Sequence, residues 1–344
     1  MQPRGGFVKH DDVYITGIAS VLGQRDPVRE AVARGDYDPD DAAEDDLESI
    51  SVIPGAAPTE LAARALGEAL SFGEDRRIDT LIHTGIHFQG QDYWTPAAHI
   101  ARTALPDAAS SRLTTLEIRQ ASNGGLAALH TGALFAAANS GGAVAVTAAD
   151  VFAQPHFDRY RSDKGLVLAD GAAAVVLDRS SGIAAVRSSA LIGDPSLEPL
   201  YAGDAPRPLP NDPSTRLDLR GRKDIYLADH PIEEAIAKLT GATEEVLRIA
   251  LEDADCKIDQ IDRFVFPNTG RGIAEWKFLS QYGIDEDRTL WKWGRTVGHI
   301  GAADQLAGLH HLISTGATPK GSLVALCSSG IGFNWGAAII EIIA

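Results

Sequence analysis

The stretch Arg119–His130 reads RQASNGGLAALH. Before it runs TTLEI (114–118), a short β-rich segment. After it an Ala, Leu and Gly-rich segment continues to Asn139 and reads as a buried helix. Ser122 therefore stands where a strand hands over to a helix. A residue there sees the positive end of the helix dipole, and its own N–H is free to bind a developing oxyanion. Gly124 and Gly125 let backbone and substrate come close. Serine is also a preferred helix N-cap, and the local pattern serves either role.

The same alternation extends in both directions. VYITGIASVLG (13–23) and IDTLIHTGIH (78–87) read as strands, and GGAVAVTAADVF (141–152) as another. PVREAVARGDY, PTELAARALGEALSFG (58–73) and PAAHIARTAL read as helices, with Thr59 a cap candidate. Asp40–Glu48 reads as an exposed acidic loop. GLVLADGAAAVVLDRSSGIAAVRSSALIG reads as two strands about an Asp-Gly turn leading to a third. A Pro, Asp and Arg-rich excursion follows. Strand and helix alternation then returns, with helices at TEEVLRIALEDADC (cap candidate Thr243), IAEWKFLSQYG and AADQLAGLHHLIST, and a final strand, Gly-rich turn and strand over SLVALCSSGIGFNWGAAIIEII. The fold class is α/β, in two related units: residues 1–182 with the Ser122 turn and residues 183–344 with a second Gly-rich cluster.

The composition narrows the function. At 344 residues and 44% hydrophobic, the chain can bury a large layered core. Aromatics are only 6% and glycines number 34, which suits close approach of helices to sheets. A formal net charge of −16 with no basic patch argues against a nucleic-acid partner. Cys256 and Cys327 have no CxxC neighbour, so neither a disulfide framework nor a zinc site is expected. No apolar run approaches the roughly 18 residues of a membrane span, and the N-terminus lacks a signal-peptide core. A cytoplasmic enzyme without a metal is the expectation.

Two further patterns carry chemistry. In GRTVGHIGAAD, His299 lies between glycines and Asp304 follows five residues later at a helix start. An Asp–His–Ser relay would activate a hydroxyl that is a weak nucleophile at neutral pH, although a loop histidine beside a capping aspartate fits the same spacing. In CSSGIGFNWG, the Gly330–Gly332 bend could present the Ile331 N–H to an oxyanion, or be a tight turn. Asn123, Asn268 and Gly332 are further candidates for lining the site. His83 and His87 fall on one strand face and are read as structural, since no third metal ligand is near.

Taken together, VYITGIASVLG, ASNGGLAAL, VLADGAAAVVLD, RFVFPNTG, WGRTVGH and GIGFNWGAAII resemble, in order and spacing, the thiolase superfamily and its ketoacyl-acyl-carrier-protein synthase III branch. The resemblance implies a five-layered αβαβα sandwich of two duplicated halves, usually a homodimer. The family's nucleophilic Cys falls at Ser122, and its His after the second-half strand falls at Asn268. GHxGxxD resembles a subgroup of synthase-III-like acyltransferases of natural-product pathways that use a Cys–His–Asp relay, with His299 as base and Asp304 as orienter. A few relatives use Ser. The implied function is transfer of an acyl group from an acyl-carrier-protein or coenzyme A thioester, through acyl-Ser122, to a hydroxyl or amine of a small molecule. Ser122 and Ile331 N–H groups would form the oxyanion hole. No permanently bound cofactor is implied, the donor being acyl-CoA or acyl-phosphopantetheine. A decarboxylative condensing enzyme and a catalytically silent carrier-binding partner are the alternatives.

Overall fold

The computed structural model describes residues 7–72, 76–105, 112–138, 142–152, 156–202, 216–273, 279 and 282–344. The first half contains strands β1 (Phe7–Lys9), β2 (Tyr14–Leu22), β3 (Gln24–Pro27), β4 (Ser49–Val52), β5 (Ile78–Thr84), β6 (Thr114–Ile118), β7 (Ala143–Asp150) and β8 (Gly171–Asp178). Its helices are α1 (Val28–Ala33), α2 (Pro39–Asp45), α3 (Pro58–Leu70), α4 (Pro96–Ala104) and α5 (Gly124–Ala138). The second half adds β9 (Ala184–Gly193), β10 (Arg263–Val265), β11 (Leu323–Gly330) and β12 (Asn334–Ile342). Its helices include α6 (Pro199–Ala202), α7 (Leu219–Asp229), α8 (Ile232–Asp253) and a helix over Asp304–Ser314.

The main sheet runs β10-β11-β12-β9-β2-β8-β7-β5-β6 with β1 on β9, while β3 and β4 pair separately. Along the main strand order its two halves join at β2 and β9 through the residue pairs Tyr14↔Ala185 and Ile15↔Ala184. Each half can therefore turn a face toward the other, and strand alternation decides what lies between. On β8, Ala173, Val175 and Leu177 join the central core, whereas Ala172, Ala174 and Val176 pack with α3 and α4. On β12, Ala338 and Ile340 face the central core, whereas Trp335, Ala337 and Ile339 pack with α8. The central layer is α5 with the helix Asp304–Ser314, both contributing to the same core as the two sheet halves. The order α3/α4, sheet, α5 and its neighbour, sheet, α8 is the five-layered thiolase-like arrangement. Helix α5 is apolar on nearly every side, as a helix buried in a middle layer must be.

Several local expectations change. Much of the acidic run Asp40–Glu48 is helical: Asp38 accepts the Asp40 and Asp41 N–H groups, Pro39 starts α2, and acidic residues in a first turn complement the dipole. Asp45 is buried there beside Tyr37, whose hydroxyl donates to it. Thr59 and Thr243 do not cap. Thr59 lies inside α3 and donates weakly to the Gln89 carbonyl (3.4 Å), and Thr243 lies within α8 and bonds the Leu239 carbonyl. Strand β5 ends at Thr84, so His87 lies beyond it, stacked on His156. Asp170-Gly171 is not a hairpin turn, because the described residues just before it form no strand paired with β8; Leu168 bridges His299 instead. Residues 274–278 and 280–281 of the expected helix IAEWKFLSQYG, residues 203–215 of the Pro-rich excursion and Asn139 lie outside the described residues.

Asp170 serves a different purpose. Fully buried, it holds Arg159 through two bonds of 2.7 Å and accepts the Phe152 and Ile53 N–H groups at 2.9 and 2.8 Å. It thereby fixes the Val167–Ala169 segment, which bonds the backbone of His299 on both sides: His299 N–H to Val167 O (3.0 Å) and Ala169 N–H to His299 O (2.8 Å). Arg159→Met leaves that carboxylate without its cation. Breaking a buried pair from one side costs about 3–5 kcal/mol, so urea denaturation of this variant gives an unfolding free energy lower by that amount.

Candidate active site

The parallel strands of both halves end on one side of the molecule. Strand β6 leads through Arg119 and Gln120 into a single 3-10 turn, Ala121–Asn123, before α5 begins. Ala121 takes φ +45°, a left-handed conformation that costs a residue with a Cβ roughly 1 kcal/mol or more. The kink ends the strand direction and stands Ser122 at the threshold of the helix. Ser122 does not cap it. Its Oγ lies 2.8 Å from Nε2 of His299, and its carbonyl accepts the Ser328 hydroxyl at 3.1 Å.

His299 is 1% exposed, and its Nδ1 lies 2.6 Å from Oδ2 of Asp304. Asp304 does not cap its helix either. Its fully buried carboxylate also accepts the Ile300 and Asn268 N–H groups, both at 2.8 Å, and the Asn268 carboxamide at 3.4 Å. An ionised carboxylate only accepts, so the Nδ1 proton is on His299. The Nε2 lone pair then faces the serine hydroxyl. Burial alone would push the imidazole down. The charge and hydrogen bond of Asp304, with the nearby charge of Asp150, outweigh it and raise the His299 pKa above 6.5.

The turn joining β11 to β12 closes over Ser122. A Cβ on Gly330 would lie 2.0 Å from the Gln120 carbonyl oxygen and 2.8 Å from the Asn123 nitrogen, so only glycine allows this approach. Ser122, His299 and Ile331 all line one cavity of about 400 Å³. Its walls are largely apolar, with Leu200, Leu239, Phe266, Phe333 and Trp335 among them, which is the usual make-up of a small-molecule pocket. The sequence-derived site residues thus fall into two groups. Ser122, His299, Asp304 and Ile331 come together. Asn123, Asn268 and Gly332 are not among the cavity's lining residues. Asn123 turns under the helix and bonds Gln120 at 2.8 Å, and Asn268 clasps Asp304 from behind.

The charged lining residues are Lys164, bonded to Glu44, and Lys223, bonded to Asp163. Arg271, Arg288 and Lys292 are engaged elsewhere, with Glu286, the Ile258 carbonyl and Asp287 respectively. Among the described residues no group of three His, Cys, Asp or Glu could hold a metal ion, and no helix is long and apolar enough to cross a membrane. A serine hydrogen-bonded to a base, the base oriented by a carboxylate, and a backbone turn against the helix start are together the parts of a nucleophilic acyl-transfer centre.

Comparison with known proteins bears on the family and the fold. Residues 116–195 match the 3-oxoacyl-(acyl-carrier-protein) synthase III family, and residues 251–342 match the family of that enzyme's C-terminal region. Among solved structures, the chain is similar to ChlB3, described as an acyltransferase, at 26% identity with a TM-score of 0.90, covering 97% of this chain and 98% of that one. The 3-oxoacyl-(acyl-carrier-protein) synthase III of Aquifex aeolicus shares the fold at 20% identity and a TM-score of 0.74, covering 96% and 99%. Xanthomonas campestris OleA does so at 15% identity and a TM-score of 0.75, covering 97% of each chain. No curated protein sequence matches the chain.

The raised His299 pKa sets a pH dependence. The base must be neutral to take the serine proton, so covalent labelling of Ser122 by a fluorophosphonate accelerates as pH rises and levels off beyond a midpoint above 6.5. Intact mass against time gives the rate, and a flat profile from about pH 5 to about pH 9 would separate Ser122 from His299. In stability the sign is opposite. Protonated His299 stabilises the fold fully below the unfolded value of 6.5, and that contribution is lost as pH rises through the higher folded value.

Proposed function

Because this chain belongs to the thiolase-like 3-oxoacyl-(acyl-carrier-protein) synthase III family, we propose that it is an acyltransferase that works through an acyl-Ser122 intermediate. The acyl group comes from a coenzyme A or acyl-carrier-protein thioester and passes to a hydroxyl or amine of a small molecule in natural-product biosynthesis. The observation that carries the reading is the continuous bonding from Asp304 through His299 to Ser122 Oγ at 2.6 and 2.8 Å.

Ser122 Oγ attacks the thioester carbonyl carbon as His299 Nε2 takes its proton, while the Nδ1–H stays on Asp304. The Ser122 and Ile331 N–H groups receive the oxyanion at the start of α5. The C–S bond breaks and the departing sulfur takes the proton from Nε2. The acceptor hydroxyl or amine then gives a proton to Nε2, its oxygen or nitrogen attacks the acyl-serine carbonyl, and Ser122 leaves with that proton. Lys164 and Lys223, the charged residues among those lining the cavity, support a phosphate-bearing donor such as coenzyme A or phosphopantetheine.

Decarboxylative condensation in this family pairs a histidine and an asparagine on the enolate oxygen. By the resemblance Asn268 falls where that histidine is expected, and its carboxamide donates to Asp304 at 3.4 Å. That favours transfer over condensation.

Incubation with a set of acyl-CoA thioesters, read by intact mass, tests the proposal. Wild type and Ser122→Cys gain the acyl mass, and Ser122→Ala does not. His299→Ala slows serine loading by roughly three orders of magnitude, as triad removals do elsewhere. The same change costs a Ser122→Cys enzyme far less, because a thiol at a helix start is already partly ionised. Carbon dioxide release from malonyl-CoA would instead mark a condensing enzyme, and absence of any adduct a silent carrier-binding partner.

A further inference from the structure

The fully buried Asp150 has no role in the reaction as described above, yet it faces the site from behind. It ends β7, an otherwise apolar strand. Its Oδ1 accepts the Ile86 and His87 N–H groups at 2.7 and 3.1 Å, and its Oδ2 accepts the Ala302 N–H at 3.1 Å. Among the described residues no Lys or Arg bonds it. A Cβ on Gly301 would lie 2.2 Å from Oδ2, so the glycine after His299-Ile300 is what lets the carboxylate reach the turn. That turn, Gly301–Ala303, is the only chain between His299 and Asp304 apart from Ile300. It also touches the helix start: a Cβ on Gly125 would lie 2.2 Å from the Ala302 carbonyl oxygen.

We propose that Asp150 is a positioning residue for His299, latching the turn between base and orienting carboxylate to the Ile86–His87 segment and presenting a second negative charge to the imidazolium.

The cost of the arrangement supports the second half of this statement. A neutral side chain could accept one or two of these N–H groups. A carboxylate buried with no bonded cation is expensive, and its ionised form is favoured by the three N–H groups and by a positive charge on His299. Burial raises its pKa to about 6 against those pulls. The titratable and charged groups that face the cluster are Asp304 and Asp150 on His299, and His87 with its neighbours His156 and Arg119 beyond the Ile86–His87 segment. Burial, His156 and Arg119 together hold His87 down near 4. His87 is therefore neutral at working pH, and His299 is the cation that Asp150 meets.

The test is an NMR titration of the His299 imidazole, assigned with His299→Gln, in wild type, Asp150→Asn and Asp150→Ser, with thermal melts to establish folding. Loss of one nearby charge lowers the imidazole midpoint by about one pH unit. Because the latch also fails, acetyl loading from acetyl-CoA slows about 10-fold or more at neutral pH. An unchanged His299 midpoint in folded variants overturns the proposal. Should neither variant fold, wild type still decides: the Ala302 and Ile86 amide resonances move through the His299 transition, and amides that ignore it overturn the latch. The proposal rests on the acyl-transfer reading only in its kinetic arm. If wild type fails to load Ser122, that reading falls while the titration still judges Asp150.

Discussion

The carboxylate of Asp304 is the constraint on which the site depends. Removed from water, it would be costly to keep ionised without partners, and the chain supplies four donors to it. Two come from Asn268, one from the Ile300 backbone and one from His299. The strand β10 and the helix Asp304–Ser314 are thereby tied together, and the imidazole is left with one orientation and one tautomer. Its free nitrogen then faces Ser122, which the first half of the chain delivers from the far side.

That meeting of halves is a property of the layers. Helix α5 and the helix Asp304–Ser314 share the central layer, and each begins at the C-terminal ends of parallel strands. Ser122, just ahead of α5, lines the cavity, so the dipole of that helix favours negative charge there. The last turn of the sheet, Gly330–Phe333, is carried to the same point by β11 and β12, whose long antiparallel pairing fixes its height against Ser122. A Greek-letter order that looks complicated along the chain places three separate segments within bonding distance because each is the end of a rigid element.

Much of this was legible beforehand. The continuous apolar runs of β8 and β12 and the apolar α5 mark elements covered on every side, as the interior of a layered fold requires. Ser122, His299 and Asp304 were legible through their glycine-rich settings. The clasp by Asn268 was not, because half of it is a backbone N–H, which carries no residue identity. The same holds for Asp150, whose partners are all backbone groups. Its one signal is an ionisable residue closing the apolar run AVAVTAAD. The acidic run around α2 misled because composition reports solvent exposure, whereas the helix there follows from a cap at Asp38 and a proline at Pro39.

By the resemblance, Asn268 and Ser122 are two of the departures from the family pattern, and the acyl-serine proposal links them. A cysteine nucleophile at a helix start is substantially ionised and can acylate without a strong base. A serine stays protonated, so the positive charge that forms on His299 must be stabilised throughout the reaction. The imidazolium needs carboxylates, and a carboxylate buried beside it needs neutral donors rather than a competing cation. An imidazole at position 268 would be a second titrating group against Asp304 and would share its charge. A carboxamide donates without titrating, and so leaves the whole of the Asp304 charge to His299. Under the acyl-serine proposal, a carboxamide at position 268 thus leaves the protonated base held by carboxylates alone.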